Sequence, residues 1–132
     1  MKIALVSSKS SELEVTARVA KILTESIKGV EVVSKSADTN LDIPKIISSL
    51  KGFSLVVVAL YYAKETADVK VVMEKLVDLD LKGSATLKFI SPSEEADEKT
   101  ESKKIADAVL DKLFGKVSKK SSSSGFRSFT EI

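Results

Sequence analysis

An α/β fold, a four-stranded parallel sheet held between two layers of helices, follows from three features of this 132-residue sequence. The run Leu55 to Leu60 is continuously apolar, rich in β-branched valine, and too short for a helix, which marks a strand buried on both faces. Three further strand-like stretches, Lys2 to Val6, Val30 to Val33 and Ala85 to Ile90, alternate with segments whose apolar residues recur at helical spacing. Each connection contains one of those helices and is long enough for a right-handed crossover between parallel strands. The summed pattern is (βα)4, a three-layer α/β/α sandwich.

The polar stretch Ser7 to Ser11 follows the first strand and can cap a helix beginning near Glu12. In that helix, expected to reach Lys28, Glu14, Arg18, Lys21, Glu25 and Lys28 gather on a narrow polar face. Apolar residues from Leu13 to Ile27 cover the rest, whereas a helix lying on a sheet needs a stripe only somewhat over ~100° wide. The surplus predicts a subunit interface. Gly29 closes the helix, and Val30 to Val33 is the second strand. Asp42 then reads as a cap, with Pro44 in the first turn of a helix running to about Leu50.

The central strand from Leu55 ends in Tyr61-Tyr62-Ala63-Lys64-Glu65-Thr66. Beyond it, Val69, Val72, Met73, Leu76 and Val77 share one face of a helix ending near Leu79. Lys82 and Gly83 form a turn into the fourth strand, which Ser91-Pro92 stops. Ser93-Glu94-Glu95 reads as a helix start, its acids suited to the positive end of the dipole. That helix continues to about Phe114. Residues 1–117 therefore form a single α/β domain. Residues 118–132 are a Ser-rich linker, Lys119 to Gly125, followed by a tail in which Phe126, Phe129 and Ile132 surround Arg127. Docking of the tail, on a neighbouring subunit for example, and an unattached end are both open.

Composition narrows the chemistry. The chain contains no cysteine and no histidine, which removes thiolate catalysis, the commonest general base and the commonest transition-metal ligand. Lys, Glu, Asp, Tyr, Ser and backbone groups remain. The net charge of +2 arises from 21 basic and 19 acidic residues mixed along the chain, without the basic stripe or stacking aromatics of a nucleic-acid binder. No apolar stretch approaches the ~20 residues that span a bilayer, and the apolar run at the N-terminus is short for a signal sequence. The expectation is a cytoplasmic protein without membrane or nucleic-acid partners, metal or cofactor. A Gly-rich phosphate loop is missing, which argues against P-loop and dinucleotide-binding readings.

Position singles out the loop Tyr61 to Thr66, because polar groups at the carboxyl end of a buried parallel strand lie where open α/β sheets bind ligands. Tyr61 or Tyr62 would stack on a planar ring, Lys64 would pair with an anion or accept a proton, and Glu65 with Thr66 would hydrogen-bond. A solvated connecting loop is the plainer alternative. Glu94, Glu95, Asp97 and Glu98 read as a solvated helix start rather than metal ligands.

Several segments together resemble the lumazine synthase superfamily, a flavodoxin-like architecture, and within it the archaeal type of riboflavin synthase. Asp42-Ile43-Pro44 is similar to the acidic, aliphatic, proline step that opens the second helix there. Val56 to Leu60 followed by Lys64-Glu65-Thr66 resembles the stretch in which a hydrophobic strand ends at a basic, Gly, Glu, Thr loop. Glu94 to Lys99 resembles the acidic segment of the riboflavin synthase branch, and Gly125-Phe126-Arg127 its Gly-aliphatic-Arg tail. The resemblance implies a transferase of riboflavin biosynthesis, the riboflavin synthase itself. It converts two 6,7-dimethyl-8-ribityllumazine molecules into riboflavin and 5-amino-6-ribitylaminopyrimidinedione. It further implies a homopentamer with sites between subunits. On that basis Lys64 and Glu65 transfer protons, and Ser7, Ser8, Lys9, Ser10, Asp42, Tyr61, Tyr62, Thr66, Ser91, Glu94 and Arg127 contact substrate. Ala67 and Asp68 stand where lumazine synthases carry a histidine. Two alternatives stay open, a non-catalytic lumazine- or flavin-binding module and lumazine synthase.

Overall fold

The computed structural model describes residues 1–81 and 86–115, with the backbone alone for 78–81. The elements alternate as β1 (Lys2–Ser8), α1 (Thr16–Ser26), β2 (Glu31–Ala37), a 3-10 turn (Asn40–Asp42), α2 (Ile43–Ser49), β3 (Leu55–Tyr62), α3 (Ala67–Leu81), β4 (Thr86–Pro92) and α4 (Glu98–Phe114). The four strands form one parallel sheet in the order β2-β1-β3-β4. The three-layer α/β/α sandwich expected from the sequence is the observed fold.

Strand periodicity sorts the core into two halves, because successive side chains point to opposite faces. Ile3, Leu5, Leu55, Val57, Ala59 and Tyr61 face α1 and α4, meeting Val19, Leu23, Ile105 and Val109. Val6, Val58 and Leu60 face α2 and α3, meeting Ile43, Ile47, Val72 and Leu76. Both faces of β1 and β3 are thus covered, which is why their sequences are continuous apolar runs rather than alternating ones. β2 and β4 are the edges of the sheet. The exposed Ser34, Lys35 and Ser36 of β2 explain why that strand extends four residues beyond its apolar signal to Ala37.

Helix boundaries differ from the sequence reading for local reasons. α1 begins at Thr16 rather than Glu12, because Ser11 and Glu12 are drawn off to bond Tyr61 and the Glu14 carboxylate accepts the Thr16 N–H at 2.7 Å. α4 begins at Glu98 rather than Ser93. The preceding residues form a turn closed by the Ala96 N–H on the Ser93 carbonyl at 3.0 Å. Glu95 sits there at φ 67°, which helical geometry does not allow. Asp97 is the cap, its carboxylate accepting the Thr100 N–H at 2.9 Å. Pro44 lies in the first turn of α2 as expected, but Asp42 makes no side-chain cap bond. The Thr39 hydroxyl donates to it instead, at 3.2 Å.

The apolar surplus of α1 has an explanation inside one chain. α4 packs alongside α1, and Leu13, Ala20 and Ile22 join the same core as Leu110 and Leu113. The large hydrophobic residues left exposed among the described residues are Met1, Leu41, Val71, Val77 and Phe114, none of them on α1. The surplus therefore gives no reason of its own for a subunit interface. The Lys82-Gly83 turn, the linker from Lys119 and the tail with Arg127 lie outside the described residues.

Candidate functional site

The chain steps from β1 outward to β2, then returns past β1 to β3, so the connections diverge between β1 and β3. In open α/β sheets that divergence leaves a crevice at the carboxyl edge, where ligands bind. The predicted residues come to this edge on four successive connections. Ser7 and Ser8 end β1, with Lys9 and Ser10 beyond. Asp42 lies after β2, Tyr62 ends β3 with Lys64 to Thr66 after it, and Ser91 and Glu94 lie at and after the end of β4.

The loop after β1 is tied down over β3 rather than left loose. Its Ser10 N–H donates to Ser8 Oγ at 3.0 Å and its Ser11 N–H to the Ser8 carbonyl at 3.0 Å. Ser11 Oγ accepts the Tyr61 N–H at 3.0 Å and donates to the Leu13 carbonyl at 3.0 Å, while the Glu12 N–H reaches the Tyr61 carbonyl at 2.7 Å. These bonds continue the β1–β3 ladder past its last paired residues, Val6 and Val58. Ser7 and Ser8 are buried as a result. Lys9 remains exposed and pairs with Asp38 at 3.0 Å, linking the first two connections.

The two tyrosines part company. Tyr61 is fully buried in the α1/α4 core, and its hydroxyl donates to Glu101 Oε1 on α4 at 3.0 Å. Burial, reinforced by the neighbouring Glu101 carboxylate, pushes its ionisation well above the usual tyrosine range. With no exposed ring face, Tyr61 cannot stack on a ligand in this conformation, which corrects the role expected for it. Tyr62, one residue later, points to the opposite face and is half-buried, so its ring is the aromatic surface left at the site. Its carbonyl accepts the Ser93 N–H at 2.8 Å, joining the β3 and β4 connections. Ala63, Lys64, Glu65 and Thr66 are exposed.

A second polar group, absent from the sequence reading, joins the β2 and β3 connections. The buried Asn40 donates from Nδ2 to Asp68 Oδ2 at 3.2 Å. Thr66 donates its hydroxyl to Asp68 Oδ1, which also accepts the Val69 N–H at 2.9 Å. These donors, the Thr66 hydroxyl foremost, hold the Asp68 carboxyl below the usual carboxylate range. The hydroxyl of the exposed Thr66 is therefore engaged by Asp68 at the start of α3. The single sequence signal was Asn40 in a polar connection before a helix, which does not distinguish a turn residue from a bridge between loops.

Beside this network, Ser36, Ala37, Asp38, Asp42, Lys45, Ile46 and Ser49 line a cleft of about 370 Å³. Asp42 belongs to it. Ser91 is half-buried and Glu94 exposed on the β4 side. Among the described residues, no group of three or more Asp or Glu side chains is placed to hold a metal ion. None of the described helices is long and apolar enough to cross a membrane. No known family profile matches the chain, and no curated protein matches it in sequence.

Proposed function

We propose that the chain binds a flat pteridine- or flavin-type ring at the β1/β3 edge. We further propose that its reaction is that of riboflavin synthase, dismutation of two 6,7-dimethyl-8-ribityllumazine molecules to riboflavin and the ribitylaminopyrimidine. The observation that carries this reading is the half-buried Tyr62 ring beside Lys64 and Glu65, at the strand end next to the divergence of the chain. An aromatic face gives a planar ligand its stacking surface, worth about 0.5–1.5 kcal/mol beyond area burial. Ser10 and Lys9 on the adjoining loop supply donors for ring or ribityl oxygens.

The chemistry asks little of the protein. The methyl group on the electron-poor lumazine ring is acidic by itself, so holding two substrates in register accounts for most of the rate. Lys64 and Glu65, two and three residues after Tyr62 in the chain, are exposed and serve as the proton donor and acceptor, a task that needs no histidine. The four-carbon unit lost by one substrate completes the xylene ring of the other. A pentamer with sites between subunits is part of the same proposal, since a second chain closes an edge that is open in one copy.

One observation favours a second reading, a non-catalytic lumazine- or flavin-binding module. Burial of Tyr61 leaves a single tyrosine ring at the edge for a reaction that stacks two substrates. Incubating the pure protein with dimethylribityllumazine and following riboflavin fluorescence separates the two. Riboflavin formation establishes the enzyme, binding without product establishes the module, and absence of binding rejects both. Tyr62→Ala is expected to weaken lumazine binding about tenfold while leaving the thermal unfolding midpoint within a few degrees of the parent. An unchanged Kd would remove Tyr62 from the site.

A further inference from the structure

α1 and α4 both return from the carboxyl edge of the sheet to its opposite edge, so they run parallel. A surface groove of about 1160 Å³ lies between them. Half-buried Ile22, Ala108 and Leu110 give its lining an apolar strip. Arg18, Lys21, Lys99, Lys103 and Lys104 line the half towards the helix starts, where Arg18 Nε meets Glu98 at 3.2 Å. Glu25, Asp107 and Asp111 line the opposite end. That acidic end is where α4 finishes and the chain departs at Gly115, whose φ of 77° turns it off the helix axis.

We propose that residues 116–132 of the same chain fold back into this groove, with Phe126 and Phe129 seated on Ile22, Ala108 and Leu110. The inference stands independently of any ligand at the sheet edge. Three properties of the segment match the groove. Its first basic residues, Lys116, Lys119 and Lys120, follow Gly115 within five positions of the sequence, and the end of the groove at that end of α4 is lined by the carboxylates of Glu25, Asp107 and Asp111. Its later part carries one Arg127 and one Glu131, so it meets the basic end without net repulsion, and its apolar residues recur every third position at 126, 129 and 132. Reach is ample. The groove from Asp111 to Lys99 is ~18 Å long at 1.5 Å per helical residue, and the ten-residue span from 116 to 126 extends to ~33 Å. Phe114, at the end of α4 next to Gly115, is itself an exposed large hydrophobic residue.

The chain has no cysteine, so Ser128→Cys in the full-length protein takes a single nitroxide. Paramagnetic broadening of backbone amides then reports which residues the tail approaches. The expected result is at least a twofold loss of peak intensity at Ile22, Ala108 and Leu110. That loss should disappear when Phe126→Asp and Phe129→Asp are added. Broadening confined to the residues adjoining Gly115, or broadening at the groove that survives the two aspartates, overturns the proposal. Mixing unlabelled nitroxide-bearing protein with isotope-labelled protein lacking the nitroxide tests the remaining case. Groove broadening in that mixture assigns the groove to a neighbouring copy's tail and likewise overturns it.

Discussion

Tyr61 is placed by two demands that act on one side chain. The period of β3 turns it into the α1/α4 core, and its hydroxyl, once buried there, needs a partner, which Glu101 provides at 3.0 Å. A hydrogen bond to a charged group is worth about 1.5–3 kcal/mol. Glu101 is about one-sixth exposed, with its side chain at 16%, and recovers part of that from water. Tyr61→Phe should therefore cost about 1–2 kcal/mol in urea unfolding. The pH dependence has a definite sign. Because the folded tyrosine ionises above the unfolded value of 10.0, its contribution is complete below pH 10 and is lost as pH rises further. Unfolding measured from pH 8 to 11 should show the parent losing stability above pH 10 more steeply than Tyr61→Phe. Parallel curves would mean that the hydroxyl is not held as described. The sequence marked Tyr61 as a ligand contact because it stands at the strand's carboxyl end. Only the strand's face assigns it to the core and leaves Tyr62 at the rim.

At the scale of elements, the start of α4 shows how a local conformation overrides composition. Ser93-Glu94-Glu95 has the residue types of a helix start, but Glu95 at φ 67° diverts the chain and Asp97 takes the cap four residues after Ser93. The Thr100 N–H, aided by Arg18 and Lys99, holds the Asp97 carboxyl below its ordinary value of 3.8. Its stabilisation is therefore present above pH 3.8 and fades as pH falls through the lower folded value. Asp97→Ala is expected to lower the Tm at pH 7, with the difference from the parent narrowing below pH 3.8. A gap that widens in acid would exclude the cap. The sequence supplied the acidic segment and the helix after it, but not the residue that caps, since neighbouring Asp and Glu look alike until one carboxylate meets a free N–H. The start of α1 has the same cause, its first expected turn having been taken up in bonds to Tyr61.

For the whole molecule, the sheet order makes stability uneven in a predictable direction. β1 and β3 are paired on both sides and covered on both faces, whereas among the described residues β2 and β4 each have one unpaired edge. Amide hydrogen exchange should be slowest in Ile3 to Val6 and Leu55 to Leu60, and faster by at least tenfold in Ser34 to Ser36 of β2. Uniform protection across the sheet would contradict this order. The carboxyl edge where the ligand is proposed to bind is anchored to the slowest strands, while its loops are joined to each other through Ser11, Ser93, Asn40 and Asp68.

The sequence by itself determined the fold class, the number and order of the elements, and the edge of the sheet at which the polar residues gather. Apolar runs, helical spacing and the length of the connections are local quantities that survive without knowledge of neighbours. The tertiary structure alone decided which tyrosine is buried and that α4 takes up the apolar surplus of α1. It also alone revealed that Asn40 and Asp68 join two connections, and that a groove lies between the helices. Each of these depends on residues far apart in the chain meeting across a strand face or a helix pair, as with the 40 residues separating Tyr61 from Glu101, and no periodicity within one segment encodes such a meeting.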